Sequence, residues 1–108
     1  MHIFFQVSGT FAGSYKERTG TVEWTTTIIF SGTNFDGMGT DRYGSFSISG
    51  SFDPNSLAIT FVKTYINGGS TIPFSGTISN DGKSITGSYD LGRGRVFDFD
   101  LNFQNALP

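Results

Sequence analysis

Lys63 and Tyr65 stand two residues apart in the run LAITFVKTY, where Leu57, Ile59, Phe61, Lys63 and Tyr65 alternate onto one face of a strand. A lysine in line with four residues that favour burial must find a partner, keep water beside it, or give up its proton. Asp41, which ends the segment NFDGMGTD, is the nearest carboxylate that strand pairing turns to the same inward side. A lysine, a carboxylate and a phenol can form a hydrogen-bonded floor that orients a ligand. If the ammonium is destabilised, the same lysine offers an acid, a base or an imine-forming amine, which makes Lys63, Asp41 and Tyr65 the catalytic candidates. The three can also form a satisfied network that closes one end of the fold and does nothing else.

Other chemistries find little support. His2 is the sole imidazole and reads as a terminal surface residue, and there is no Cys, so no Ser-His hydrolase, thiolate zinc site or disulfide is expected. NFDGMGTD has no acidic residue at the distance that closes a calcium loop and no helix after it to receive a phosphate. DLGRGR at 90–95 offers backbone N–H groups to an anion, but a tight hairpin needs the same glycines. Asp98 and Asp100 alternate with Phe97, Phe99 and Leu101, so both are expected to face outward as solvating groups. No cofactor and no metal are implied.

The elements that must position Lys63 are strands. Gly, Ser, Thr and Phe are abundant, helix-forming residues are scarce, and period-two alternation recurs between short turns. We expect a single all-β domain over 1–108, with strands at 3–15, 21–31, 34–41, 43–52, 57–66, 71–79, 84–91 and 95–103 in an eight-stranded antiparallel up-and-down meander. An open meander would leave two free edges and an uncovered apolar face, and closure into a barrel removes both. The steps VSGTF, ISGSF, FSGTI and ITGSY place Gly9, Gly50, Gly76 and Gly87 inward between large apolar residues, as strong bending or a narrow interior requires. A two-sheet sandwich would show similar alternation, but the short turns and recurrent glycine favour the barrel.

Eight short strands in this order, the GTF of the first strand and the repeated Gly-Ser/Thr-aromatic steps resemble the calycin group of barrels, particularly the avidin-like ones. The resemblance spans most of the chain at the level of strand pattern. Phe11 stands where the lipocalin Gly-x-Trp signature has its tryptophan, and the avidin biotin contacts have no position-by-position match. The resemblance implies a central ligand cavity open at one end.

Pairing the strands by their turns sets Lys63 opposite Phe46 and Phe74, in a layer with Phe11, Thr26, Gly39, Tyr89 and Phe97. Trp24, Asp41, Gly44, Tyr65 and Ile72 lie one step towards the mouth, where Gly39 and Gly44 clear the way between Asp41 and Lys63. The expected pocket has walls of Trp24, Phe46, Phe74, Tyr89 and Phe97, a floor of Lys63, Asp41 and Tyr65, and a rim of Arg42 and Tyr43. Trp24 serves equally as core. Lys16, Arg18, Arg42, Lys63, Arg93 and Arg95 collect at this end of a chain whose net charge is −2, so the mouth should favour a small hydrophobic ligand carrying a carboxylate.

Three functions follow: a ligand-binding barrel, a cyclase- or isomerase-type enzyme using Lys63, or a filled structural or interaction barrel with no ligand. The acidic balance argues against nucleic acid, and no apolar stretch has membrane-spanning length. The chain reads as soluble and cytoplasmic, with secretion left open. Val62 and Pro73, apolar on an outer face of Ser and Thr, point to a homo-oligomer through strands five and six.

Overall fold

The structure is a computed structural model that describes residues 7–108. Eight antiparallel strands close into one barrel in chain order, β1 next to β2 and so on round to β8, which pairs back onto β1. The strands are β1 Gly9–Glu17, β2 Gly20–Ser31, β3 Asn34–Asp41, β4 Gly44–Phe52, β5 Ala58–Tyr65, β6 Thr71–Ile78, β7 Ser84–Asp90 and β8 Val96–Ala106. Most expected boundaries hold to within a residue. β1 starts at Gly9 and runs on to Glu17, two residues past its expected end, and β8 runs on to Ala106. Residues 3–6 of the expected first strand, and His2, lie outside the described residues.

Alternation explains the interior. Phe11, Trp24, Ile28, Phe46, Ile48, Ile59, Phe61, Phe74, Phe99 and Leu101 are all buried, and Phe61, Phe74 and Tyr89 form a stacked column with centroid separations of 4.9 and 5.0 Å. Trp24 stacks on Phe74 at 5.4 Å and donates its indole N–H to the Asp100 carbonyl at 2.9 Å. Side chains therefore fill the middle of the barrel, as eight strands permit. Outside, Ile29, Val62, Ile66 and Val96 are exposed, as their phase requires. Val62 pairs with Pro73, and both line a shallow outer groove of about 630 Å³.

Gly76 and Gly87 pair directly across β6 and β7. A Cβ on Gly76 would strike the Thr86 carbonyl and come within 2.8 Å of the Gly87 Cα. The inward glycines thus permit tight strand contact at the bend. Gly76→Ala is expected to cost about 2–3 kcal/mol by overpacking, read as a lower urea midpoint, while outward Ser88→Ala stays within about 0.5 kcal/mol. Equal midpoints for the two variants would remove the close-contact explanation.

The register of β5 differs from the sequence expectation by two residues. Lys63 pairs with Ile48 and Ile72, not with Phe46 and Phe74, while Phe46 pairs with Tyr65 and Phe61 with Phe74. The cause lies in the flanking loops. Asp53 N–H bonds the Ala58 carbonyl at 2.8 Å around a loop in which Leu57 takes φ 64°, and Tyr65 N–H bonds the Ser70 carbonyl at 3.1 Å. Both hairpins thereby turn one residue away from the expected centre. A shift of two preserves the face, so Lys63 still points inward.

Candidate functional site

In an up-and-down barrel the ends of odd strands share one rim. Here that rim holds the turns at 18–19, 42–43, 66–70 and 91–95. Just beneath it, Lys63 Nζ donates to Asp41 Oδ2 at 2.6 Å, with the two side chains 1% and 0% exposed. The same oxygen accepts from Tyr65 OH at 2.5 Å and Tyr15 OH at 2.8 Å, and Oδ1 accepts the Tyr43 N–H at 2.9 Å. Among the described residues Asp41 therefore has four donors, whereas Lys63 has one hydrogen-bond acceptor.

Aromatic faces complete the ammonium's surroundings. Nζ lies 4.5 Å from the ring centres of Tyr15 and Phe46, 4.7 Å from Tyr65 and 4.9 Å from Trp24. These cation–π contacts replace water where hydrogen bonds do not. Among the described residues no buried side-chain nitrogen or oxygen lacks a partner.

Gly39 makes this arrangement possible, since a Cβ there would lie 2.8 Å from Phe46 Cζ. Its absence admits the Phe46 ring that forms one wall of the cage. Gly44 has a different cause from the expected one: it takes φ 128° leaving the β3–β4 turn, and open space lies beside it.

The electrostatics follow from burial and bonding. Burial alone would raise the Asp41 carboxyl, but hydrogen bonds from Lys63, Tyr65, the Tyr43 N–H and Tyr15 together hold it below its ordinary value. Burial also lowers the Lys63 ammonium, and the Asp41 bond and charge offset this in part. Tyr15 and Tyr65 are pushed well above an ordinary phenol, chiefly by burial and then by donating within the network. Tyr89 is pushed up to about 12 by burial and by the neighbouring Glu17 charge. Its hydroxyl donates to the Lys16 carbonyl.

Above this floor opens a cleft of about 220 Å³ lined by Tyr15, Glu17, Tyr43, Lys63, Tyr65, Ile72, Phe74, Tyr89 and Leu91. All four tyrosines of the chain meet here. At the rim, Arg42 bonds Glu17 at 3.0 Å, and Tyr43 OH donates to the same carboxylate at 2.6 and 2.9 Å. A second cleft of about 530 Å³ shares Glu17 and Leu91 and adds Arg18, Thr19, Gly94, Arg95, Val96 and Phe97.

The structure brings Lys63, Asp41 and Tyr65 into one network and sets Phe74, Tyr89 and Tyr43 around the cleft above it. Trp24 and Phe46 lie below as packed cage walls and do not line that cleft, Phe97 lines the neighbouring one, and Arg42 stands at the rim in contact with Glu17. Tyr15 and Glu17 are additions. Their signal was present in the phase of Phe11, which both continue: Tyr15 closes the expected strand, and Glu17 required β1 to run two residues further.

One smaller expectation is corrected. Asp100 accepts the Ser14 N–H at 2.7 Å across the β1–β8 seam, because the Gly13 backbone comes close to it there, so its carboxylate does more than meet solvent. In DLGRGR the Gly92 N–H donates to Asp90 Oδ1 at 2.6 Å and Leu91 N–H to the Arg95 carbonyl at 3.0 Å, so the hairpin itself uses these donors, as its glycines suggested.

No protein-family model and no curated protein matches the chain. A solved structure described as the de novo design of a fluorescence-activating β-barrel aligns with TM-score 0.58 at 16% identity, covering 90% of this chain and 93% of that one. At that identity the likeness speaks for the barrel fold alone.

Proposed function

We propose that the protein is a small-molecule-binding barrel whose ligand rests in the tyrosine-lined mouth, above the Lys63–Asp41–Tyr65 network. The observation that carries this reading is the convergence of Tyr15, Tyr43, Tyr65 and Tyr89 with Ile72, Phe74 and Leu91 on one cleft. A concave, mainly apolar surface with a few fixed polar groups is the usual form of a ligand site. The likeness to a barrel designed to activate fluorescence supports the same reading, as does the calycin-like strand pattern, which implies a cavity open at one end.

In this reading Lys63 holds the floor and is not a nucleophile. Among the described residues its only hydrogen-bond acceptor is Asp41, four rings surround its Nζ, and its side chain is 1% exposed. Borohydride with 2-naphthaldehyde is therefore expected to leave Lys63 unmodified in mass spectrometry. An adduct on that residue would favour the enzyme reading.

The direct test is titration with 2-naphthoate, followed by the emission of Trp24 and by backbone amide shifts. Trp24 contacts Tyr15 edge-on at 5.3 Å, so a ligand pressing on the Tyr15 ring should alter its emission. Saturable shifts at Leu91 and Tyr89, abolished in Ile72→Glu while the fold is retained, are expected. Ligand shifts confined to the outer face would contradict the reading. A homo-oligomer would pack a second copy on the Val62–Pro73 groove, and light scattering that gives a monomer at millimolar concentration removes it.

A further inference from the structure

Taken alone, the tyrosine cleft is smaller than the roughly 300 Å³ at which ordinary ligand pockets begin. Its neighbour is larger, and the two meet at Glu17 and Leu91. Tyr89 of the first and Phe97 of the second are in ring contact at 5.7 Å, so their aromatic surface is continuous. A ligand seated on the tyrosines reaches the second cleft along these rings and Leu91, past the Glu17 carboxylate.

The charges in the two clefts differ. Lys63 is already neutralised by Asp41, and Arg42 by Glu17, whose oxygens are also held by Tyr43 and Thr19. Glu17 lines both clefts, but its charge is met by Arg42 and its oxygens by these hydroxyls. Arg95 has its guanidinium set by two turn carbonyls, Leu91 at 2.8 Å from one terminal nitrogen and Gly92 at 3.2 Å from Nε, which leaves further N–H groups to donate. Arg18 makes no hydrogen bond or ion pair among the described residues.

Resting on the mouth-cleft reading, we infer that Arg18 and Arg95 form a carboxylate-binding subsite over Phe97 and Val96, beside the cleft that takes the hydrophobic body. The subsite is separate from Lys63: the buried lysine has its carboxylate already, and the anionic end of the ligand lies between the β1–β2 and β7–β8 turns. Guanidinium groups suit a planar carboxylate because they offer paired donors in a fixed fork.

The experiment compares 2-naphthoate with 2-naphthamide, which share shape and differ in charge, on the wild-type protein, Arg18→Gln and Arg95→Gln. Wild type should prefer the acid by about fivefold to tenfold at low salt, with the preference falling as ionic strength rises. Arg18→Gln, which loses no internal contact, should bring the acid to within about twofold of the amide and leave amide affinity unchanged. Arg95→Gln should act alike, with retained thermal stability excluding a collapsed turn. Equal binding of acid and amide by wild type, or equal weakening of both by Arg18→Gln, overturns the subsite and leaves the mouth cleft standing. Binding of neither compound overturns both.

Discussion

In Asp41→Asn the unfolding free energy falls by about 3–5 kcal/mol, while Lys63→Met costs about 1–3 kcal/mol. The difference comes from the unequal wiring of the pair. Among the described residues Lys63 has a single acceptor, so neutralising Asp41 leaves a buried ammonium among four rings with no counter-charge. Asp41 retains Tyr65, Tyr15 and the Tyr43 N–H when Lys63 is removed. The asparagine amide also turns a donor towards one of these donors, which adds to the loss. For a domain of this size the Asp41→Asn change corresponds to a melting point lower by roughly 15–30 °C.

The double variant is the sharper measurement. With both charges gone, the methionine packs against rings that formerly held an ammonium, and replacing a buried ion pair by apolar packing is often neutral or favourable. Asp41→Asn/Lys63→Met should therefore be more stable than the sum of the single variants predicts, by about 2 kcal/mol in a denaturant-midpoint cycle. Strict additivity would mean that the 2.6 Å contact carries no coupling and that the two residues stabilise the barrel separately.

The fold was legible in the sequence because its signals are local. Alternation assigns a face to every strand residue, and Gly and Asn or Asp at the turns mark where the chain reverses. Closure followed from the absence of a helix to cover an apolar sheet face. Register was not fully legible, since a loop with a residue such as Leu57 in the left-handed region is indistinguishable from a shorter loop in composition. That displaced β5 by two positions and exchanged the expected neighbours of Lys63.

The network survived this error because inward and outward faces repeat every two residues, and Asp41, Lys63 and Tyr65 kept their phase. The location of open space did not survive, because it depends on how ring volumes fill the tube. Phe46 lies over Gly39, Trp24 stacks on Phe74, and the expected wall of the pocket becomes its packed foundation. One clue was available without coordinates: Tyr15, Tyr65 and Tyr89 lie at or near the ends of odd strands and Tyr43 in the β3–β4 turn. In an up-and-down barrel all four must share a rim.

Alkali should unfold this protein steeply, and the tyrosines are the cause. Tyr15, Tyr65 and Tyr89 have phenols raised above their ordinary value of 10.0 by burial, with Asp41 adding to the first two and Glu17 to the third. Between the unfolded value and each raised folded value the native state holds a proton that the unfolded chain has released, so stability falls as pH rises above 10. Each such proton contributes up to about 1.4 kcal/mol per pH unit. Tyr65 is only partly buried, so solvent screens it and the realised slope is nearer that of two protons than three. Lys63 acts in the opposite direction: its folded value is lowered, so stability rises as pH climbs towards its unfolded value of 10.5 and gains nothing beyond it. Asp41, held below 3.8 in the folded state, brings a separate loss only as pH falls below that value. Stability measured by urea unfolding should therefore peak in mild alkali and fall by roughly 2–3 kcal/mol per unit above pH 11. Tyr15→Phe/Tyr65→Phe lowers the plateau but flattens this alkaline limb, because two of the titrating protons are gone. An unchanged limb in that double variant would place the alkaline transition outside the Asp41 network.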